Sequence, residues 1–169
     1  MRNFVMTITD YLTRRCIRFQ HVLRPPAPTA ARRAHASHLS GGSVAKGVLL
    51  LSRGQYLLAV LPSTHRVDLV QLAKLLSLDE LKLADEDDLE LVFHDCQRGS
   101  APPFGRLYGI PVVVDRCLAN NSEILLDGHC RHEAYRVNFD DFIALERPVI
   151  ADFAVTTRED RPPIHRKAG

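Results

Sequence analysis

Hydrophobic and polar residues along this chain fall into short blocks, which switch between the two-residue period of strands and the longer period of helices. The most regular strand pattern covers residues 44–51 and 55–61, on either side of Ser52-Arg53-Gly54. Two apolar strands joined by a short glycine-containing turn predict a β-hairpin. The pattern therefore places a hairpin near the middle of the fold.

The remaining blocks predict a single mixed α/β domain with six or seven strands and about five helices. Prolines between residues 24 and 28 exclude that segment from a helix or a central strand. Residues that favour helix N-termini precede the predicted helices. The helices are predicted over residues 11–17, 30–36, 69–76, 86–93 and 138–145, and the other strands over 18–22, 81–84, 110–115, 123–126 and 131–137.

One domain accounts for the 169 residues. Residues 1–150 hold the predicted elements, and residues 151–169 are expected to form a polar C-terminal tail. No apolar run approaches the roughly 18 residues of a membrane span. The residues after Met6 are too polar for the apolar core of a signal peptide. These features predict a cytoplasmic protein without a membrane partner.

Charge is distributed unevenly along the sequence. Residues 1–47 contain eight basic residues against one acidic residue, whereas residues 79–95 contain eight acidic residues against one lysine. A basic first third is typical of a protein that binds RNA or phosphate. Two solvated faces of opposite charge would give the same pattern, so charge alone leaves both interpretations open.

The four cysteines contain no CxxC pair, which favours reduced thiols over a disulfide framework. Their spacing with the histidines matches no zinc-binding pattern, so no metal is predicted. The residues considered as ligands are His94, Cys96, Cys117, His129, Cys130 and His132.

Lys46 interrupts the apolar strand at residues 44–51 close to its start. Burying an ammonium group without a partner costs several kcal/mol. Lys46 must therefore lie at an edge, reach outward into solvent, or line a pocket in which its charge meets an anion. The sequence leaves these alternatives open.

Two further segments could carry chemistry. Prolines fix the backbone of residues 99–105 and glycines allow a ligand to approach it closely, so this loop could offer N–H groups to an oxyanion. It could equally be a plain connector. His129 follows Asp127-Gly128 and could bind a substrate, or it could be an exposed turn residue. The chain has no Ser/His/Asp elbow, Walker-type phosphate loop or dinucleotide fingerprint, which disfavours those enzyme classes.

The order of these segments resembles the YbaK/EbsC family of aminoacyl-tRNA deacylases, which is related to the editing domain of bacterial prolyl-tRNA synthetase. The similarity extends over about residues 8–147. It rests on Pro25-Pro26-Ala27-Pro28-Thr29-Ala30, Val44-Ala45-Lys46-Gly47-Val48-Leu49-Leu50, Tyr56-Leu57-Leu58-Ala59-Val60-Leu61-Pro62, Val67-Asp68-Leu69, Gly99-Ser100-Ala101-Pro102-Pro103-Phe104-Gly105, Pro111-Val112-Val113-Val114-Asp115 and Gly128-His129.

The resemblance implies a compact α/β domain with a strongly curved, barrel-like mixed sheet flanked by helices. It also implies hydrolysis of the ester that joins a wrong amino acid to the 3′ end of tRNA, often the tRNA for proline. No metal or organic cofactor is implied. The implied partner is aminoacylated tRNA, with an aminoacyl-tRNA synthetase as a further candidate and no DNA. The sequence leaves monomer and homodimer both open.

The resemblance also assigns roles to individual residues. Lys46 would hold a phosphate or ribose of the terminal nucleotide, the backbone of residues 99–103 would hold the aminoacyl carbonyl, and His129 would contact the amino acid or the 3′ adenosine. The implied catalytic residues are Lys46, Gly99, Pro103 and His129, and the implied substrate-binding residues are Thr29, Ser100, Ala101, Pro102 and Gly105.

Two positions depart from the family pattern and bear on amino-acid selectivity. Arg24 replaces a histidine found in many members, and Gly47 replaces a polar residue. An aminoacyl ester is already activated, so a positioned water and a stabilised oxyanion could supply most of the rate without a protein nucleophile. A non-catalytic module that binds aminoacyl-tRNA or a synthetase, and a metal-dependent hydrolase, are the alternatives.

Overall fold

The structure is a computed structural model that describes residues 5–23 and 42–157. Four predictions lie outside these residues: the helix at 30–36, the proline segment at 24–28, the pocket residue Thr29 and the family departure at Arg24. No helix in the described part of the chain is long and apolar enough to cross a membrane.

An eight-stranded mixed sheet forms the centre of the described fold. Its strands follow the order β1-β8-β7-β2-β3-β6-β9, and β5 pairs with β2 beside β7. The strands are β1 (Phe19–Leu23), β2 (Val44–Ser52), β3 (Gln55–Pro62), β5 (Lys82–Leu83), β6 (Val112–Asp115), β7 (Glu123–Asp127), β8 (Glu133–Asn138) and β9 (Val149–Ala151).

The sheet confirms the central hairpin and the mixed character of the fold. Strands β2 and β3 pair antiparallel from Ala45↔Pro62 to Ser52↔Gln55. Strand β2 runs parallel to β7, and β3 runs parallel to β6. Parallel neighbours need crossover connections, and these bring the helices onto the faces of the sheet.

Four helices are present in the described residues: α1 (Ile8–Arg14), α2 (Leu69–Leu75), α3 (Glu86–Val92) and α4 (Phe139–Glu146). Asp68, Asp85 and Asn138 cap the last three, as their sequence positions predict. The first helix begins three residues earlier than predicted. Its cap is Thr7, whose hydroxyl accepts a hydrogen bond from the Asp10 N–H at 3.1 Å in a reciprocal capping box.

Each face of the sheet supports its own apolar core. The larger core covers the face formed by Ala45, Leu49, Leu58 and Val60, and it packs against α1 and α4. The smaller core lies on the opposite face. It joins Leu50, Ala59, Leu61 and Val113 of the sheet to Leu72 of α2 and to Phe153.

The chain beyond residue 150 belongs to the fold for at least seven residues, so the predicted tail does not begin at 151. Strand β10 (Ala154–Thr156) pairs antiparallel with β4 (His65–Val67), and neither strand was expected. The carboxylate of buried Asp115 accepts hydrogen bonds from the Phe153 and Ala154 N–H groups at 2.8 and 2.7 Å. Burial alone would raise the pKa of Asp115, but the N–H donors outweigh it and lower that pKa.

Glu146 is a buried carboxyl at the end of α4 that ties three segments together. One oxygen accepts from the Tyr11 hydroxyl at 3.1 Å, and the other accepts from the Arg106 N–H at 2.9 Å. The residue is only 2 % exposed, and burial raises its pKa from 4.5 to about 7. Because the pKa of Glu146 is higher in the folded than in the unfolded state, its protonated form stabilises the fold. This contribution is fully present below pH 4.5 and is lost as the pH rises through 7.

We therefore expect Glu146→Gln to flatten the dependence of stability on pH. Between pH 5 and pH 8 the wild type should lose on the order of 1–3 kcal/mol of unfolding free energy that the variant retains. Urea denaturation at the two pH values measures the difference. Glu123→Gln, which changes an exposed carboxyl, is the matched control. Equal pH dependence in wild type and Glu146→Gln would contradict this account.

Candidate active site

On one side, strand β2 has no partner strand in the described residues at Lys46, Gly47 and Val48. We call this stretch the open edge. Strand β7 pairs with β2 only through Val44 and Ala45, and β5 pairs with it only through Leu50 and Leu51. No strand in the described residues covers the edge between these two ladders. An unpaired edge presents backbone donors and acceptors to whatever approaches it.

The loop that the sequence singled out packs over Gly47, on one face of β2 at the open edge. A Cβ atom placed on Gly47 would lie 2.5 Å from the carbonyl oxygen of Ala101, closer than real Cβ contacts come. Gly47 is therefore required for the approach of the loop to β2. The glycine at this position, which departs from the family pattern, thus has a steric explanation in this chain.

The beginning of the loop carries backbone donors without partners. Gly99 has a φ of +78°, a conformation that favours glycine, and the Ser100 N–H closes a turn onto the Gln97 carbonyl at 2.9 Å. In the part of the chain that the structure describes, the N–H groups of Gly99 and Ala101 donate no hydrogen bond. Proline has no N–H, so Pro102 and Pro103 cannot add donors.

The end of the loop is part of the core. Pro102, Pro103 and Phe104 are buried, and the Phe104 ring makes edge contacts with the rings of Tyr11, Tyr135 and Phe142. Gly105 is also buried. A Cβ there would lie 2.4 Å from a Val112 methyl group. Pro102, Pro103 and Gly105 therefore anchor the loop in the core, and their predicted roles at the substrate stay predictions.

The turn that carries His129 contacts the same loop. The Gln97 N–H donates to the His129 carbonyl at 2.7 Å, and the Arg131 N–H donates to the Gln97 side chain at 3.0 Å. The predicted connection between β7 and β8, residues 127–130, is shifted in the structure, because β7 continues to Asp127 and β8 begins only at Glu133. Residues 128–132 form a longer connection that follows β7, next to the open edge.

Two carboxylates hold the His129 ring. Its Nε2 lies 3.2 Å from Asp95 Oδ2, and its Nδ1 lies 3.9 Å from Glu133 Oε2. The His129 N–H also donates to Glu133 Oε2 at 3.2 Å. All three side chains are mostly buried, with 13–20 % of their surface exposed. His129 is thus a fixed residue of a polar network and not a free turn histidine.

Glu133 is the centre of that network. The Tyr135 hydroxyl donates to Glu133 Oε1 at 2.6 Å, and the His21 ring lies 3.0 Å from the same oxygen. Burial alone would raise the pKa of Glu133, but these contacts and the charge of His129 outweigh it and lower that pKa. Glu133 therefore remains a carboxylate at neutral pH.

Sequence reasoning missed Asp95, Glu133, Tyr135 and His21 as neighbours of His129. Asp95 appeared only as part of the acidic block, and His21 as a strand residue. These residues come from three strands or loops that lie far apart along the chain. No spacing rule connects them, and only the alternation that brings Glu133, Tyr135 and His21 towards one another could have grouped part of the set.

Lys46 directly precedes Gly47 in sequence, but its side chain points away from the loop. It pairs across the hairpin with buried Leu61, whereas Gly47 faces Leu58 and the loop. Successive side chains of a strand point to opposite faces, so Lys46 lies on the face opposite the loop. Within residues 5–23 and 42–157 its ammonium has no hydrogen-bond or ion-pair partner. Burial lowers its pKa, so an anion at this point would relieve an unfavourable charge.

Cys96 lies beneath the His129 network. Its Sγ is 3.4 Å from Asp95 Oδ1 and 3.3 Å from the Tyr108 hydroxyl. Burial raises the pKa of the Cys96 thiol to about 12. The reactive form of cysteine is the thiolate, so the free thiol is a poor nucleophile at neutral pH.

The structure thus brings the loop, the open edge and the His129 turn together, with Lys46 on the far face of the same strand. Thr29 lies outside the described residues. The six candidate metal ligands do not assemble into one cluster within the described residues. Cys96 and His129 meet, and Cys130 Sγ lies 3.4 Å from His132 Nε2. His94 lines a different groove, and Cys117 is exposed in a 3-10 helix at Arg116–Asn120.

Known structures share this fold at low sequence identity. The hypothetical protein APE2540 superimposes with a TM-score of 0.77 and 18% identity, covering 88% of this chain and 99% of that chain. A "putative trans-editing enzyme for prolyl tRNA synthetase" gives a TM-score of 0.74 and 20% identity over 88% of this chain and 94% of that chain. A "Putative signal transduction protein" from Marinobacter aquaeolei VT8 gives 0.69 and 21%, covering 88% of this chain and 30% of that longer chain.

The sequence match identifies a family, whereas the structural matches show only a shared fold. Residues 24–145 match the aminoacyl-tRNA editing domain family. The match includes the open edge, the whole loop and the His129 turn, together with most of both cores. Because it extends over most of the chain, this protein belongs to the aminoacyl-tRNA editing domain family.

Proposed function

We propose that this protein is a trans-editing hydrolase that cleaves the ester bond of mischarged aminoacyl-tRNA, with the tRNA for proline as its class of substrate. The observation that carries the proposal is that the N–H groups of Gly99 and Ala101 donate no hydrogen bond within residues 5–23 and 42–157, in a loop that packs over Gly47, the neighbour of Lys46. The structural likeness to an enzyme described as acting for prolyl-tRNA synthetase supports the choice of tRNA.

In the proposed reaction, water attacks the carbonyl carbon of the aminoacyl ester. The carbonyl oxygen becomes an oxyanion, and the two loop N–H groups stabilise it. When the tetrahedral intermediate collapses, the bond to the ribose 3′ oxygen breaks and that oxygen takes a proton. The products are a free amino acid and tRNA with an intact 3′ end, and no protein nucleophile is needed.

Lys46 would bind the tRNA rather than the reacting carbonyl. Its side chain lies on the face opposite the loop, so a 3′ end that passes over the open edge could meet the ammonium with a phosphate and the loop with its ester. A phosphate would supply the counter-charge that the described residues do not. With the phosphate bound on one face of β2 and the ester on the other, the ester would be held against the loop.

His129 would position the substrate and the loop together. Its carbonyl holds the Gln97 N–H, so the turn supports the loop directly. Its ring is fixed by Asp95 and Glu133, which leaves the exposed edge of the ring to contact the amino acid or the terminal adenosine.

Discrimination between amino acids would depend on the shape of the pocket. In an apolar pocket one methylene is worth only about 1–3 kcal/mol. Gly47 contributes no side chain towards the loop, so selectivity here cannot come from a polar group at that position. Ser100 is a partly exposed polar side chain at the start of the loop.

Hydrolysis of a panel of mischarged tRNAs tests the proposal. Alanyl-, cysteinyl- and seryl-tRNA for proline, together with correctly charged prolyl-tRNA, are incubated with the wild-type protein, and the remaining ester is followed with time. We expect at least one mischarged ester to be cleaved well above its spontaneous rate and prolyl-tRNA to be spared. Tight binding of these tRNAs without cleavage would instead favour a non-catalytic binding module.

A further inference from the structure

We propose that Asp95, Cys96 and His129 form a binding site for Zn²⁺ that fastens the start of the loop to the His129 turn. This inference goes beyond the proposed function, because neither family membership nor hydrolysis of the ester requires a metal. It also reverses the expectation, based on sequence spacing, that the chain holds none.

The three side chains converge from two separate segments. Asp95 and Cys96 follow α3, and His129 lies in the turn after β7. One ligand atom from each lies within 4.8 Å of the other two. The Asp95 Oδ2 to His129 Nε2 distance is 3.2 Å, and Cys96 Sγ lies 3.4 Å from the other Asp95 oxygen.

The 3.2 and 3.4 Å separations, each to a different oxygen of Asp95, are close to those between neighbouring ligands of a tetrahedral zinc ion, and Cys96 Sγ lies within 4.8 Å of a ring nitrogen of His129. With bonds of about 2.0–2.3 Å, the ligand atoms around zinc lie roughly 3.3–3.7 Å apart. A small rotation of the three side chains would therefore enclose the ion. The partial exposure of His129 and Asp95 leaves a route for the metal from solvent and a fourth position for water.

The surroundings orient the proposed ligands. On the far side of the imidazole, Glu133 Oε2 lies 3.9 Å from Nδ1, in the place where zinc-bound histidines commonly meet a carboxylate. The Tyr108 hydroxyl lies 3.0 Å from Asp95 Oδ1 and 3.3 Å from Cys96 Sγ, so it contacts two ligands at once. Such outer contacts fix the direction of the first ligands.

The donor set selects zinc over the hard cations. Sulfur, imidazole nitrogen and carboxylate oxygen together suit Zn²⁺, whereas Mg²⁺ and Ca²⁺ prefer oxygen ligands alone. Binding replaces the Cys96 S–H bond by a sulfur–zinc bond and releases one proton to solvent. No electron is transferred.

The bound ion would cross-link two segments that already meet through the Asp95–His129 pair and the hydrogen bonds of Gln97. Gln97 follows Cys96 directly, and the loop begins two residues later. Zinc would therefore hold the start of the loop at a fixed distance from the turn. We expect zinc to raise the melting temperature of the protein, because a ligand that binds only the folded state stabilises it.

Cobalt titration of the full chain tests the site without any tRNA, so its failure is distinct from a failure of the proposed function. After treatment with a chelator, the wild-type protein should bind one equivalent of Co²⁺, with the visible bands of tetrahedral cobalt and a thiolate-to-cobalt absorption. One equivalent of Zn²⁺ should remove both signals. No such bands in the wild type would overturn the proposal.

Substitutions at the proposed ligands test which residues bind the metal. Cys96→Ser should lose the thiolate absorption and weaken Co²⁺ binding at least 10-fold, and His129→Ala should weaken it similarly. Cys117→Ser changes an exposed cysteine outside the cluster and should bind like the wild type. Circular dichroism verifies that each variant is folded. Retention of the thiolate band in Cys96→Ser, or its loss only in Cys130→Ser, would contradict the assignment.

Discussion

Replacing Lys46 by methionine should reduce the rate of deacylation by about 10²-fold or more while leaving the protein at least as stable as the wild type. Methionine keeps the apolar stem beside Leu61 and removes an ammonium whose charge burial disfavours. The expected loss in rate would come from removal of the proposed charge-assisted contact to the tRNA, a class of contact that is among the stronger polar interactions. Single-turnover kinetics measure the rate of deacylation, and thermal denaturation measures the stability.

Lys82→Met is the matched control for this variant. Lys82 lies on β5, pairs with Leu51 of the same strand β2, and is exposed. The Lys82→Met substitution removes the same charge from the same sheet, but away from the open edge. The rate should therefore change less than about threefold. Equal losses in Lys46→Met and Lys82→Met would mean that only the overall charge of the protein matters. A Lys46→Met variant with the wild-type rate would remove Lys46 from the mechanism.

Replacing Gly47 by alanine should displace the loop and reduce both activity and stability. The added Cβ would lie 2.5 Å from the Ala101 carbonyl oxygen, and a backbone carbonyl cannot rotate away as a flexible side chain can. We expect a loss of about 1–3 kcal/mol in unfolding free energy, as for other overpacked positions. We also expect at least a 10-fold loss in single-turnover rate, because a shift of about 1 Å in a positioning group can cost 10²-fold.

Gly54→Ala separates the loop effect from a general loss of stability. Gly54 has a φ of +77° in the β2–β3 turn, and a Cβ there would meet nothing within 4 Å. This variant should lose roughly 1 kcal/mol of stability from backbone strain and keep the wild-type rate. If Gly47→Ala and Gly54→Ala lose stability equally and both retain the rate, the contact between Gly47 and the loop has no role in catalysis.

The elements that the sequence predicted well are those defined by local patterns. The β2–β3 hairpin depends on the turn at Ser52-Arg53-Gly54, and α2 depends on Asp68 and the leucines that follow it. Both signals lie within one short window. Strands β4 and β10 went unpredicted because each has three residues and they lie some 90 residues apart, so no window contains the pair.

The same difference between local patterns and long-range contacts applies to the candidate site. Lys46, the loop and His129 could be named from the sequence because their order resembles a known family. The contact of Ala101 with Gly47 could not, since it joins segments more than 50 residues apart through a steric fit that leaves no pattern. The same holds for Asp95 and His129, whose approach depends on how the turn after α3 packs on the turn after β7.

The central claim is that this protein cleaves an aminoacyl ester, and product analysis of one mischarged substrate tests it most directly. Alanyl-tRNA for proline carrying a labelled amino acid is mixed with an excess of the wild-type protein under single-turnover conditions. The account predicts release of free alanine well above the spontaneous rate, with tRNA that can be charged again because its 3′ end is intact. Alanine that remains esterified while the tRNA is fully bound would contradict it.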